Sequence, residues 1–264
     1  MLEVLILSML GLAGSALGGA VADDEAETDG ESEEENLPID TSLLMPEVPP
    51  DVGGTAERSG EAVFGDGGDD LLTDWHGDVE LYGGSGDDIR DGDNDALIYG
   101  GDGADTITGG HGRSEIYGDA GDDVIDTGIQ SDTVFGGEGD DRLVSVGSGD
   151  IDDPDLMFGG AGDDDLYAYG TAGLYGGEGA DRFTTYANTW VEDAPVIEDF
   201  NPAEDLLCVE IDSHEGVQDL SDFEVEVLDF ADGTGASVFV DGHEVMRVPG
   251  GQGMGVEDVQ LKLV

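Results

Sequence analysis

The sequence predicts an all-β chain built around a parallel β-solenoid of short coils. Three observations carry this reading. A phrase consisting of an aliphatic residue, an aromatic residue and then G-[GD]-x-G-x-D recurs seven times within residues 61–184. Successive copies lie 17 or 18 residues apart, except for one step of 23. Glycine fills 46 of the 264 positions. Self-similarity at one short period is the mark of a stacked-repeat architecture, in which each unit buries its apolar face only against its neighbours.

The copies begin at Val63-Phe64, Leu81-Tyr82, Ile98-Tyr99, Ile116-Tyr117, Val134-Phe135, Met157-Phe158 and Leu174-Tyr175. They end at Asp70, Asp88, Asp105, Asp123, Asp141, Asp164 and Asp181. Two residues past the aspartate comes an apolar residue, namely Leu72, Ile107, Ile125, Leu143, Leu166 and Phe183, with Arg90 standing in the second copy. A glycine-dense turn of six residues reaches positive φ readily. A three-residue strand with one inward side chain follows, and two turns plus two strands complete a coil of 18. The intervening half-repeats read as weak turns that have lost the glycines and the aspartate. Their sixth positions hold Val79, Ala96, Ser114, Asp132, Asp155 and Ala172. Coils stacked at about 4.8 Å therefore put all seven strong turns on one edge and the weak turns on the other. The step of 23 carries a five-residue excess around Gly147 to Pro154.

Charge gives the strong edge its chemistry. With 65 acidic and 7 basic residues the formal net charge is −58. Such a field repels phosphate, which excludes nucleic acid and anionic membrane surfaces as partners. It also predicts disorder unless cations neutralise it, yet 38% of residues are apolar and can bury a core. Aspartates one strand spacing apart repel strongly. Their carboxylates, with the carbonyls of glycine turns, form an all-oxygen cage that suits Ca²⁺ better than octahedral Mg²⁺ or a thiophilic metal. Seven turns leave six gaps, so about six calcium ions are expected on that edge. Asp132 and Asp155 allow at most one partial site on the other.

The phrase resembles the G-G-x-G-x-D-x-U-x nonapeptide of RTX (repeats-in-toxin) proteins. The resemblance implies a right-handed parallel β-roll that binds calcium. It implies that Asp70, Asp88, Asp105, Asp123, Asp141, Asp164 and Asp181 supply carboxylate ligands. Carbonyls of the glycine turns supply the others: Gly65, Gly67, Gly83, Gly84, Gly100, Gly101, Gly118, Gly136, Gly137, Gly159, Gly160, Gly176 and Gly177. Asp66 and Asp119 replace a glycine of the pattern. Val196 to Leu207 resembles the segment that follows the roll in serralysin-type proteins, which makes Asp199 and Asp205 candidates for a further ion. The family also carries an uncleaved C-terminal signal for type I secretion machinery, which residues 256–264 match only loosely.

The remaining regions follow from composition. Residues 1–22 are apolar apart from Glu3, Ser8 and Ser15, and read as either a signal peptide or a membrane anchor. Either reading places the protein outside the cytoplasm, secreted or tethered at the cell surface. Residues 23–60 hold an acidic run and then four prolines, the composition of a disordered linker. Residues 185–264 lack the repeat and are expected to form a β cap over the solenoid's end. In it, Ser237 to Val240, Asp241-Gly242 and His243 to Val248 read as a hairpin with a type I′ turn, and Val259 to Val264 as a last strand. Cys208, the single cysteine, is expected to be a buried small hydrophobe and excludes an internal disulfide.

No HExxH, GxSxG or P-loop is present, and the 60 residues before the repeats are too few and too polar for a catalytic domain, so the chain does not read as an enzyme. The functional expectation is a calcium-folded extracellular module. The alternatives are a surface adhesin binding glycans or cells and a small calcium-dependent hydrolase or lyase. The aromatic positions form either a packing ladder or a sugar-binding stripe.

Overall fold

The computed structural model describes residues 55–56, 62–74, 80–92, 95–146, 153–187, 194–211 and 219–264. The expected signal peptide or anchor, nearly all of the linker, the weak-turn position Val79 and most of the five-residue excess lie outside them. Among the described residues no helix is long and apolar enough to cross a membrane.

The chain alternates between two sheets. In order, the strands of the repeat region are β1 Thr55–Ala56, β2 Ala62–Gly67, β3 Leu71–Asp74, β4 Glu80–Ser85, β5 Ile89–Gly92, β6 Leu97–Asp102 and β7 Thr106–Thr108. Then come β8 Glu115–Ala120, β9 Val124–Asp126, β10 Thr133–Glu138, β11 Arg142–Ser145, β12 Asp155–Ala161, β13 Asp165–Ala168, β14 Ala172–Glu178 and β15 Arg182–Tyr186. Beyond the repeats lie β16 Val196–Ile197, β17 Leu206–Ile211, β18 Val225–Asp229, β19 Gly235–Val240, β20 His243–Pro249 and β21 Val259–Leu263. Odd-numbered strands β1 to β17, followed by β21, make one sheet. The even-numbered strands β2 to β16, followed by β20, β19 and β18, make the other.

Register follows the repeat. Val134 pairs with Ile116 on one side and Met157 on the other, and the aromatic position and the second position of the turn stay aligned from β2 to β14. The 23-residue step does not disturb this pairing. All ladders of the repeat region are parallel, as the sequence predicts.

The core is a thin double row of aliphatic side chains. Leu81, Ile98, Ile116, Val134, Met157, Leu174 and Ile197 come from one sheet, and Leu72, Ile107, Ile125, Leu143, Leu166, Phe183 and Leu207 from the other; all are essentially inaccessible. Arg90 takes the register place of these residues in β5, between Leu72 and Ile107. Because each coil contributes so few apolar groups, each carries much of the local stability. Leu143→Ala, which opens a cavity between two sheets, is expected to lower stability of the calcium-loaded protein by about 2–5 kcal/mol in thermal or denaturant unfolding.

On the outer face of the second sheet, Phe64, Tyr82, Tyr99, Tyr117, Phe135, Phe158 and Tyr175 stack with ring centroids 4.6–4.9 Å apart and planes within 15° of parallel. Within the stack the ring faces are turned to one another, and Phe64 at its end is 59% exposed. This is the packing ladder rather than a row of faces open to sugar rings.

Past residue 187 the solenoid continues. β16 pairs parallel with β14, and β17 with β15. The hairpin β19–β20 joins the second sheet through β20 and β16, and its turn residues Asp241 and Gly242 both have positive φ, as a type I′ turn requires. β18 extends the hairpin, and β21 closes the first sheet beside β17. Cys208 is buried in β17, and burial pushes its thiol up.

Candidate metal centre

The seven strong-turn aspartates line one edge and are all at least 97% buried. They form a continuous ladder in which each backbone N–H donates to the Oδ1 of the next rung. Asp70 donates to Asp88 (2.7 Å), Asp88 to Asp105 (2.8 Å), Asp105 to Asp123 (2.7 Å) and Asp123 to Asp141 (2.8 Å). Asp141 donates to Asp164 (2.8 Å) and Asp164 to Asp181 (3.0 Å). From Asp88 onward, one carboxylate oxygen per rung is thereby spent on holding the coils together. The other oxygen, Oδ2, is buried without a protein hydrogen bond at Asp141 and Asp164. A buried carboxylate oxygen with no donor is costly unless a cation or a proton meets it. Burial accordingly pushes Asp141 up to about 7 and Asp164 up to about 6, with the neighbouring aspartates adding to the rise.

Backbone oxygens complete the edge. A Cβ built on Gly136 would collide with Asp141 Oδ2 and lie 2.5 Å from the carbonyl oxygen of Gly159 in the following turn. The same conjunction recurs at Gly65, Gly100, Gly118 and Gly159, so each first-position carbonyl lies against the preceding turn. Second-position carbonyls point the other way: those of Gly84, Asp119, Gly137 and Gly160 lie against Gly101, Gly137, Gly160 and Gly177. Each gap between turns thus receives carbonyl oxygen from both sides and a carboxylate oxygen between them. Among the described residues no three acidic, histidine or cysteine side chains converge as a metal cluster. The arrangement explains why: a rung contributes one carboxylate, and the main chain contributes the other oxygens. A donor set made only of hard oxygens, with orphaned carboxylate oxygen beside it, fits Ca²⁺.

Several participants escape the sequence reading. Gly67 occupies the open third position of its turn, where an added Cβ would meet nothing closer than 3.8 Å. The constrained neighbour is Gly68 at φ 107°, and the fourth-position glycines Gly86, Gly103, Gly121, Gly139, Gly162 and Gly179 likewise have positive φ, each seated on the preceding turn's carbonyl. Asp119 adopts φ 76° in a glycine position, a conformation that aspartate tolerates better than most residues. Fifth-position aspartates form a second, exposed ladder of opposite sense. Asp69 Oδ1 accepts from Asp87 N, Asp87 Oδ1 from Ala104 N, Asp122 Oδ1 from Asp140 N, Asp140 Oδ1 from Asp163 N and Asp163 Oδ1 from Ala180 N.

The candidates beyond the repeats divide. Asp205 Oδ1 accepts from Asp181 N (3.1 Å), so it serves as an eighth rung of the buried ladder, while its Oδ2 accepts from Asn201 N (2.7 Å). Asp199 instead receives the N–H groups of Gly176 (2.9 Å) and Gly177 (3.1 Å) on its two oxygens, which makes it a cap on the last strong turn.

The second edge repeats the pattern in miniature. Ser114 N donates to Asp132 Oδ1 (2.6 Å) and Asp132 N to Asp155 Oδ1 (2.9 Å). Asp155 Oδ2 accepts from Ser145 Oγ, whereas Asp132 Oδ2 is buried without a hydrogen bond, and burial pushes Asp132 up to about 8. The expectation that these half-repeats lack the glycines needs one correction: Gly109-Gly110-His111-Gly112 keeps all three and substitutes only Ser114 for the aspartate.

A family model described as the RTX calcium-binding nonapeptide repeat matches four copies, over residues 90–113, 99–134, 112–143 and 152–171. No curated protein matches the chain significantly.

Proposed function

We propose that this chain, which carries RTX calcium-binding nonapeptide repeats, has a β-roll that is an extracellular module folded by about six calcium ions held between the strong turns. The first-position glycine carbonyls and the Oδ2 atoms of Asp70, Asp88, Asp105, Asp123, Asp141 and Asp164 would hold them. Asp181 and Asp205 offer a further gap where the ladder passes into the cap. The observation that carries the reading is the buried aspartate ladder, whose second oxygens at Asp141 and Asp164 have no protein donor.

Bound calcium supplies the positive charge that lets these carboxylates stay ionised while buried. The residues of the chain do the rest: Oδ1 atoms clamp successive coils, glycines bring main-chain oxygen to the gap, and the aliphatic rows exclude water. Because the turns exist only in the folded state, the free energy of ion binding becomes free energy of folding. In low cytosolic calcium the −58 chain would stay expanded and export-ready, and it would fold where calcium is plentiful. Export by residues 1–22 or by type I machinery, and attachment at the cell surface, belong to this same reading. The proposed role is structural rather than catalytic.

The test is far-UV circular dichroism of the full chain during a calcium titration, with magnesium as control. A cooperative gain of β signal with calcium and none with magnesium is expected. A chain equally folded in chelator at neutral pH would overturn the proposal.

A further inference from the structure

The seven basic residues of this chain are not spread evenly. Three of them, Arg142, Arg182 and Lys262, line one pocket of about 300 Å³ on the outer face of the first sheet, far along the roll from its N-terminal strands. Strand register builds the pocket. Arg142, Asp165 and Arg182 are adjacent rungs of β11, β13 and β15, while Thr184, Cys208 and Gln260 form the next row across β15, β17 and β21. Glu210 and Lys262 pair one row further on.

Two of the cations are already engaged. Arg142 meets Asp165 Oδ2 at 2.7 Å, and Lys262 meets Glu210 at 2.6 Å, with the Tyr167 hydroxyl donating to the same glutamate at 2.5 Å. Both oxygens of Glu210 and the Oδ2 of Asp165 are thus engaged in orienting the walls, while Asp165 Oδ1 is buried without a hydrogen bond. Arg182 is exposed and makes no ion pair among the described residues, whereas Arg113 and Arg247, elsewhere on the molecule, are paired with Asp153 and Glu244. Counting three cations against Asp165 and Glu210 leaves the pocket locally positive in a strongly negative chain. Thr184 and Gln260 add neutral donors to the wall. A guanidinium with an open fork, flanked by two fixed cations and lying in a concavity of small-ligand size, is matched to a planar oxyanion.

We propose that this pocket binds a carboxylate, gripped in a two-pronged manner by Arg182 and flanked by Arg142 and Lys262. Two sources share that chemistry: a free small carboxylate, or an aspartate or glutamate side chain of a second copy of the chain. The site is separate from the calcium edge and does not depend on the calcium reading, because the cations reach it from the sheet face.

The experiment uses the full calcium-loaded chain, titrated with sodium acetate and, at matched ionic strength, with sodium chloride. Side-chain guanidinium and backbone amide signals of Arg182, Thr184 and Gln260 are followed by NMR. Saturable shifts with acetate and none with chloride are expected. R182Q should weaken acetate binding at least tenfold, R182K less because it keeps the charge without the fork, and K262Q several-fold. Unchanged circular dichroism of each variant in calcium shows that the roll is intact. Sedimentation assigns the source: a dimer dissolved by acetate and lost in R182Q places a partner's carboxylate in the pocket, and a monomer that binds acetate assigns a free one. Equal shifts with chloride, or undiminished acetate binding in both R182Q and K262Q, would overturn the proposal.

Discussion

In chelator, the chain is expected to be unfolded at pH 8 and to gain β structure as the pH is lowered towards 4. The sign follows from the buried ladder. Without calcium, burial raises Asp132 to about 8, Asp141 to about 7 and Asp164 to about 6, and raises Asp155, Asp181 and Asp205 as well. In the unfolded chain these groups titrate near 3.8. A group whose folded value is the higher one binds its proton more tightly in the folded state. The stabilisation it gives is complete below the unfolded value and is lost as pH rises through the folded value. The window of loss therefore runs from about 4 to about 8, and several groups titrating together make it steep. A proton can neutralise a buried carboxylate as a cation does, so acid should substitute in part for calcium. Calcium-loaded protein should show the reverse dependence, losing ions as the carboxylates protonate. Circular dichroism against pH, in chelator and in calcium, checks both limbs. An apo chain equally unfolded at pH 4.5 and pH 8 would count against the ladder as the seat of the instability.

The second large effect concerns one methyl group. Gly136→Ala is expected to abolish ion binding at its gap and to destabilise the calcium-loaded roll by roughly 3 kcal/mol or more, in the range of cavity and strain effects in cores. Its φ is not in the left-handed region, so backbone strain is not the cause. The new Cβ would stand in the space shared by Asp141 Oδ2 and the Gly159 carbonyl. Both are held by neighbouring coils and neither can retreat alone. Gly67→Ala, at the open third position of the first turn, serves as the control and is expected to lie within about 0.5 kcal/mol of the parent. Calorimetric counting of bound calcium alongside thermal unfolding separates the two. A normal ion count in Gly136→Ala would remove first-position glycines from the site.

Much of this was legible because the repeat is long and its period fixed. The two sheets, the alternation of Ile116 and Ile125 between them, and the placement of the seven aspartates on one edge all follow from spacing. So does the aromatic ladder, since residues at one position of successive coils must lie about one strand spacing apart. What escaped depends on backbone direction. Nothing in composition says that the Asp69 side chain faces solvent and accepts from Asp87 N while its neighbour Asp70 is buried and donates its own N–H to Asp88; the turn's sequence of dihedrals decides it. The separation of Asp199 from Asp205, one a cap on Gly176 and Gly177 and the other a rung, likewise depends on where the chain crosses after β15. The carboxylate pocket was invisible for a related reason. Arg142, Arg182 and Lys262 span 120 residues and meet only through the ladders of the first sheet.

The 23-residue step has an engineering consequence. β10 and β12 keep every paired position although the chain between them is longer than in any other coil of the repeats. In sequence the excess falls between β11 and β12, the connection that carries a weak turn. Added loop length costs only slowly growing closure entropy, and a stacked array transmits little of it beyond nearest neighbours. The weak turns are therefore ports at which foreign peptide could be spliced in and displayed, coil by coil, while the opposite edge keeps its ion-binding geometry.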